Sequence, residues 1–320
     1  MRRTVLALVV VAGLVVCGCG DGRPAEGDKP RVALIMKSLA NEFFKTMEDG
    51  ARAHQQANAA KYGLICNGIK DEQDVQKQID IVNQMIAQKV DAIVIAPADS
   101  KALVPHCKKA QAAGIVVVNI DNKLDDAVLA EQGIRVPFVG PYNRKGARLA
   151  GEYLAKKLAA GDEVALVEGR PNALNGIQRK LGFEDAMKAA GMKIVSSQSG
   201  YWETENATKV VGGMITQHPD LKAVLCANDS MALGAVSDLK AAGKLGKVLV
   251  VGFDNISAVQ GLMKDGRVLC TVDQHADRIA VYGIEYALEI LDKKTTPADR
   301  ETPVDLIVPD GVQVPIDPVQ

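Results

Sequence analysis

The chain is poor in aromatic residues, with one Trp, five Phe and six Tyr in 320 residues, although 48% of it is hydrophobic. Its cores must therefore be filled by Ala, Val, Leu and Ile, as they are where helices pack on parallel strands. It also lacks a charge excess of either sign: 38 basic residues face 39 acidic ones, for a formal net charge of −1. A dedicated nucleic-acid surface needs a basic surplus, so no nucleic-acid partner is expected. Histidine is scarce, and His54, His106, His218 and His275 are scattered along the chain. With no Cys-x-x-Cys pair beside them, neither a metal site nor another cofactor is expected. No Gly-x-Gly-x-x-Gly follows the first strand, and there is no Walker loop and no Gly-x-Ser-x-Gly elbow. These absences favour a binding protein over an enzyme.

What the chain does contain begins with Met1-Arg-Arg3 and the apolar run Val5 to Val16, the charged and hydrophobic regions of an export signal. The run is too short to span a bilayer, which takes about 20 apolar residues. It ends in Val16-Cys17-Gly18-Cys19, which resembles a bacterial lipobox. On that reading Cys19 is the lipidated N-terminus, and the Gly-, Pro- and charge-rich stretch to Pro30 is a tether between membrane and fold. Cys66, Cys107, Cys226 and Cys270 lie in or beside apolar stretches and are expected as buried free thiols, with a disulfide left open.

After the tether, strand and helix patterns alternate at the spacing of βαβ units, which predicts an α/β fold with parallel sheets. Strands are expected at 31–36, 64–66, 91–97 and 115–121, and helices at 43–61, 71–88 and 101–113. The pattern restarts beyond Pro141 with helices near 145–160, 176–190, 205–217 and 231–242, and strands near 163–168, 192–197, Ala223 and Val248. Ala113-Gly114, Ala190-Gly191 and Ala242-Gly243 close three of the helices alike, since Gly takes the left-handed C-cap conformation cheaply. The expectation is two doubly wound parallel-sheet lobes.

Five strands end in a hydrogen-bonding side chain: Val32 to Lys37, Val116 to Asp121, Ala223 to Asn228, Val248 to Asp254 and Val268 to Gln274. In open α/β sheets ligands bind in the crevice outside the carboxyl ends of the strands, so these ends are candidate ligand contacts. Taken one at a time, Asn228 and Asp254 also read as helix caps, Phe43-Phe44 as core and Arg179 as a solvated helix charge. As a set they supply what a pyranose needs. Asp121 and Asp254 accept hydroxyl hydrogen bonds, Lys37 and Arg179 donate, and Asn41, Asn228 and Gln274 do both. Phe43, Phe44 and Trp202 can cover the apolar ring faces. Two positive charges against two negative ones suit an uncharged ligand.

These residues resemble the ligand set of the ribose-type periplasmic sugar-binding proteins over nearly all of residues 31 to 308, the allose-binding branch most of all. The resemblance rests on Leu34-Ile-Met-Lys37-Ser-Leu-Ala-Asn41-Glu-Phe43-Phe44, on Asp121, on Arg179-Lys-Leu-Gly-Phe183, on Trp202 and on Asn228, Asp254 and Gln274. Lys37 stands where the allose-binding branch has lysine and the ribose-binding branch serine. Two positions depart from the pattern. Asn122 replaces an arginine or an acidic residue, and Glu42 replaces a proline, while Asn122 stays in the expected ligand set. The resemblance implies a type I periplasmic-binding fold with a three-crossing hinge near Gly140, Gln274 and Asp305. Residues 1–30 form the signal and tether, 31–140 plus 275–305 the N-terminal lobe, and 141–274 plus 306–320 the C-terminal lobe. It further implies a monomeric, extracytoplasmic lipoprotein that delivers a monosaccharide to the permease subunits of an ABC importer. A sensor subunit that presents its sugar or polyol to a membrane receptor remains the alternative.

Overall fold

Strands that are apolar throughout need cover on both faces, and the chain provides it twice. The computed structural model describes residues 29–293, 297–309 and 314–316, so the expected signal and Cys19 lie outside it. Within it the chain runs β1 (Arg31–Ser38), α1 (Glu42–Ala57), β2 (Gly63–Ile69), α2 (Val75–Ala87), β3 (Ala92–Ile95), α3 (Val104–Ala112), β4 (Val116–Ile120), α4 (Asp126–Glu131) and β5 (Phe138–Pro141). It continues through α5 (Asn143–Ala155), β6 (Glu163–Glu168), α6 (Leu174–Ala189), β7 (Lys193–Ser199), α7 (Thr204–Gln217), β8 (Ala223–Cys226), α8 (Asp229–Ala241), β9 (Leu249–Val251), α9 (Ser257–Lys264) and β10 (Thr271–Asp273). Last come α10 (Ala276–Leu291), β11 (Arg300–Thr302), β12 (Val304–Ile307) and β13 (Val314–Ile316).

The first sheet has the order β11-β5-β4-β3-β1-β2 and the second β7-β6-β8-β9. A bridge from Val251 to Cys270 carries the second sheet on toward the small sheet β10-β12-β13. Pairing within both main sheets is parallel, with Leu34 opposite Val94 in the first and Leu166 opposite Leu225 in the second. The chain passes between the lobes three times, after β5, after β10 and after β11, as a three-crossing hinge requires.

Burial follows position in the sheet. Central β3 and β8 are buried throughout, and β1 in all but its first residue, whereas the edge strands β2 and β7 are only half covered. Helix α1 buries Phe43, Phe44, Met47 and Ala51, the stripe that a helix on a sheet shows. It lies so close to α10 that a Cβ on Gly50 would stand 2.1 Å from the carbonyl oxygen of Asp277. Gly114, Gly191 and Gly243 all take positive φ just beyond helix ends, as their sequence positions predict. Among the described residues Cys66, Cys107, Cys226 and Cys270 are unpaired; the last three are buried as expected, Cys66 on the edge strand β2 only half-buried, and burial pushes the Cys107 thiol up to about 12.

Element ends differ from the sequence expectation where side chains cap the backbone. Helix α2 begins at Val75 rather than Asp71 because Asp74 is its N-cap, accepting from the Lys77 amide at 2.9 Å. This leaves residues 70–74 as a turn at the carboxyl end of β2. Helix α10 lies outside the elements expected from the sequence. It carries Ile279, Val281, Ile284 and Ala287 into the core beneath β3 and β4, and its near-continuous apolar run is ambiguous between buried helix and buried strand.

Candidate ligand-binding cleft between the lobes

A parallel sheet has one end at which every strand stops and a helix starts, and here two such ends face each other. In the first lobe β1 delivers Lys37. Asn41 then caps α1, its Oδ1 accepting from the Phe43 amide at 3.0 Å, and so sets Phe43 and Phe44 edge to face, 5.1 Å apart, on the first turn. Strand β4 ends at Ile120, and Asp121 follows with φ of 61°, a conformation costly for a residue with a Cβ. Lys37 Nζ lies 3.0 Å from Asp121 Oδ2, 3.4 Å from Glu72 Oε2 and 5.2 Å from the centre of the Phe44 ring. Burial works against the ammonium charge, but Asp121 and Glu72 outweigh it and hold the Lys37 pKa above the usual lysine value.

The second lobe is built around Arg179 on α6, which is 2% exposed. Its Nε donates to Asn143 Oδ1 at 2.8 Å, and its Nη1 to the Ala227 carbonyl at 2.9 Å and to Asp254 Oδ1 at 3.3 Å. The guanidinium stacks 3.8 Å from the centre of the Phe253 ring. Gln274, at the second crossing, donates from Nε2 to the same Asp254 oxygen at 2.7 Å. Burial raises the Asp254 carboxyl well above its usual range and lowers Arg179, each opposed by the other's charge; the guanidinium does not deprotonate. Asn228 caps α8 through Oδ1 to the Met231 amide at 2.9 Å, and its Nδ2 donates to the Trp202 carbonyl at 3.3 Å. Trp202 has φ of 70°, and its indole lies where a Cβ on Gly169 would be 2.1 Å from the ring. Only glycine lets that ring in.

Ten of the eleven expected site residues thus line one cavity between the lobes. Glu72 and Asn175, not singled out in the sequence, line it as well. Among the described residues, Trp202 Nε1 and Gln274 Oε1 are buried there without a hydrogen-bond partner, and Glu72 Oε2 and Asp121 Oδ2 have only the Lys37 ammonium beside them. Two carboxylate acceptors, an amide acceptor and an N–H donor suit hydroxyl groups, which give and take hydrogen bonds at once.

Asn122 corrects the sequence expectation. Its Nδ2 donates to the Pro97 carbonyl at 2.9 Å, and its Oδ1 accepts from the Asn175 amide at 3.1 Å, so it faces away from the cavity and toward α6. The left-handed turn at Asp121 separates the two neighbouring side chains. Asn122 belongs to a seam where the lobes touch directly. The Leu174 amide donates to Ser100 Oγ, the Ser100 amide to the Asn172 carbonyl, and the Asn172 amide group to Asp99. Across the cleft the Ser257 amide, at the start of α9, donates to Glu42 Oε1 at 2.7 Å. The glutamate that replaces a proline therefore joins the lobes.

Two lobes that meet over a polar cavity, with lining residues supplied from both sides and from a crossing, define a two-lobe solute-binding protein. Residues 32–295 match the periplasmic binding protein domain, and the chain belongs to that family. It is 57% identical over 308 residues to a D-ribose/D-allose-binding protein of Pseudomonas aeruginosa, covering 93% of this chain and 97% of that one. The fold is similar to that of an ABC transporter solute binding protein from Burkholderia multivorans, with an unknown ligand represented as α-D-erythrofuranose. The TM-score is 0.86 and the identity 60%, over 88% of this chain and 99% of that one. It is also similar to a solute binding protein from Actinobacillus succinogenes with bound D-allose, at a TM-score of 0.84 and 36% identity, over 88% and 99% of the two chains.

Proposed function

We propose that this protein captures one uncharged monosaccharide, of the allose or ribose kind, outside the cytoplasm and delivers it to the permease subunits of an ABC importer. The observation that carries the reading is one cavity lined from both lobes by polar side chains, with Trp202 Nε1 and Gln274 Oε1 left without a partner and Lys37, Asp121 and Glu72 grouped as one charged cluster. The relatives with ribose, allose or ABC transport in their names support the choice of ligand and destination. The ligand contacts are Lys37, Asn41, Phe43, Phe44 and Asp121 from the first lobe, Arg179, Trp202, Asn228 and Asp254 from the second, and Gln274 from the crossing. The two lobes move as two bodies about the hinge, so that binding is closure. The protein acts by binding, without catalysis or a cofactor, as a monomer tethered through lipidated Cys19.

The test is thermal unfolding of the purified protein with D-allose, D-ribose, D-psicose and a panel of other aldoses, ketoses and polyols. A ligand of the native state at a hundred times its Kd stabilises by about 2.7 kcal/mol, which raises Tm by several degrees. One or two sugars should do so and change the emission of Trp202, the chain's single tryptophan. No shift with any sugar overturns the reading. A Cys19→Ala protein should leave the membrane fraction, and retention there would remove the lipid anchor.

A further inference from the structure

Among the described residues that line the cavity, Glu72 stands apart from the strand-end pattern. It lies in the turn between β2 and α2, between the exposed residues Asp71 and Gln73, in a polar run that the sequence presents as solvated. Its flanking acids secure that turn. Asp71 Oδ1 accepts from the Gln73 amide at 2.7 Å, and Asp74 caps α2. Glu72 has no such local duty and turns inward, with 3% of its surface exposed. Its Oε2 is 3.4 Å from Lys37 Nζ, beyond the about 2.7–2.9 Å of a charge-assisted hydrogen bond, because Lys37 sits closer to Asp121. That oxygen is buried, belongs to a residue that lines the cavity, and among the described residues has no partner but that one distant ammonium. A buried carboxylate oxygen held only by one long ion pair keeps lone-pair capacity for a donor from the ligand.

We propose that Glu72 is a specificity-determining ligand contact, its carboxylate accepting a hydrogen bond from one sugar hydroxyl beside the Lys37–Asp121 pair. The inference rests on the sugar-binding reading and sharpens it. Glu72 Oε2 and Asp121 Oδ2 both lie within 3.4 Å of the same ammonium, so the two carboxylates belong to one charged cluster on the cavity wall. A site built to bond a particular hydroxyl rejects the analogue that lacks it far more strongly than an apolar pocket rejects a methylene.

The experiment is calorimetric titration of the native protein and of Glu72→Gln with the sugar found in the thermal screen and with each of its monodeoxy analogues. Glutamine keeps the shape and removes the charge. The expected result is a 10- to 100-fold loss with the parent sugar and with all monodeoxy analogues but one. For that one, whose missing hydroxyl is the partner of Glu72, native and variant affinities should nearly coincide. Unchanged affinity for the parent sugar, or an equal loss with every analogue, overturns the inference and makes Glu72 a counter-ion of Lys37 only. Should Glu72→Gln lower Tm sharply, Glu72→Asp keeps the counter-charge while withdrawing it from the ligand, and must single out the same analogue. If the native protein binds no sugar, the sugar-binding reading fails first; if it binds but the variant shows no such exception, only the role of Glu72 fails.

Discussion

The two halves of the cleft hold their charges differently. In the second lobe Arg179 donates to Asn143, Ala227 and Asp254 and stacks on Phe253, so its guanidinium is fixed before any ligand arrives. In the first lobe Lys37 lies between Asp121 and Glu72, and the Oδ2 and Oε2 atoms of those carboxylates have that one ammonium as their only neighbouring donor among the described residues. One half is preorganised by the protein, and the other is completed by what it binds. The difference also concerns what each half can do when a partner is lost. An arginine has no neutral form within reach, whereas a carboxylate can take a proton.

Replacing Asp254 with Ala should therefore have the largest effect. It leaves Arg179 buried without its carboxylate, at a cost of about 3–5 kcal/mol of stability, and sugar binding should be lost. Urea unfolding and calorimetry measure the two. A variant as stable as the native protein would show that Arg179 is not held as described.

Lys37→Met makes the matching cut in the first lobe and should cost less, about 1–3 kcal/mol at pH 7. Burial already raises the Glu72 carboxyl above its usual value, opposed by Lys37, and removing Lys37 raises it further. A carboxyl with a raised folded pKa binds its proton more tightly in the native than in the unfolded state, so stability falls as pH rises through the window between the two values. The Lys37→Met deficit should therefore shrink as pH is lowered from 7 toward the unfolded value of about 4.3, unlike that of Asp254→Ala. Equal pH profiles for the two variants would break the comparison.

The smallest effect is expected at the seam. Asn122→Ala removes the acceptor of the Asn175 amide without touching the cavity. It should weaken sugar binding about tenfold by disfavouring closure, which is about 1.4 kcal/mol, and leave the ranking of sugars unchanged. A changed ranking would return Asn122 to the ligand.

How much of this was legible beforehand differs by residue. Lys37, Asp121, Asn228, Asp254 and Gln274 were visible because each ends an apolar strand, and the topology of a parallel sheet sends all such ends to one side. Trp202 was visible because a lone indole in a polar turn has no core to fill. Glu72 was not, since Asp71-Glu72-Gln73-Asp74 carries no sign of which acid turns inward; that depends on Asp74 capping α2 and on Asp71 closing the turn. Asn122 is expected at the ligand because the resemblance puts a ligand residue at that position, and the positive φ of Asp121 turns the two neighbouring side chains apart.

The sequence by itself determined the alternation of strand and helix, the parallel sheets and the side on which a ligand must bind, because these follow from periodicity, glycine caps and the direction of strands. The tertiary structure decided which strand ends face each other, how the charges pair and which polar atoms are left for a ligand. Those depend on the meeting of segments as distant as Lys37 and Trp202, or Glu42 and Ser257, and no local pattern encodes the geometry of such a meeting.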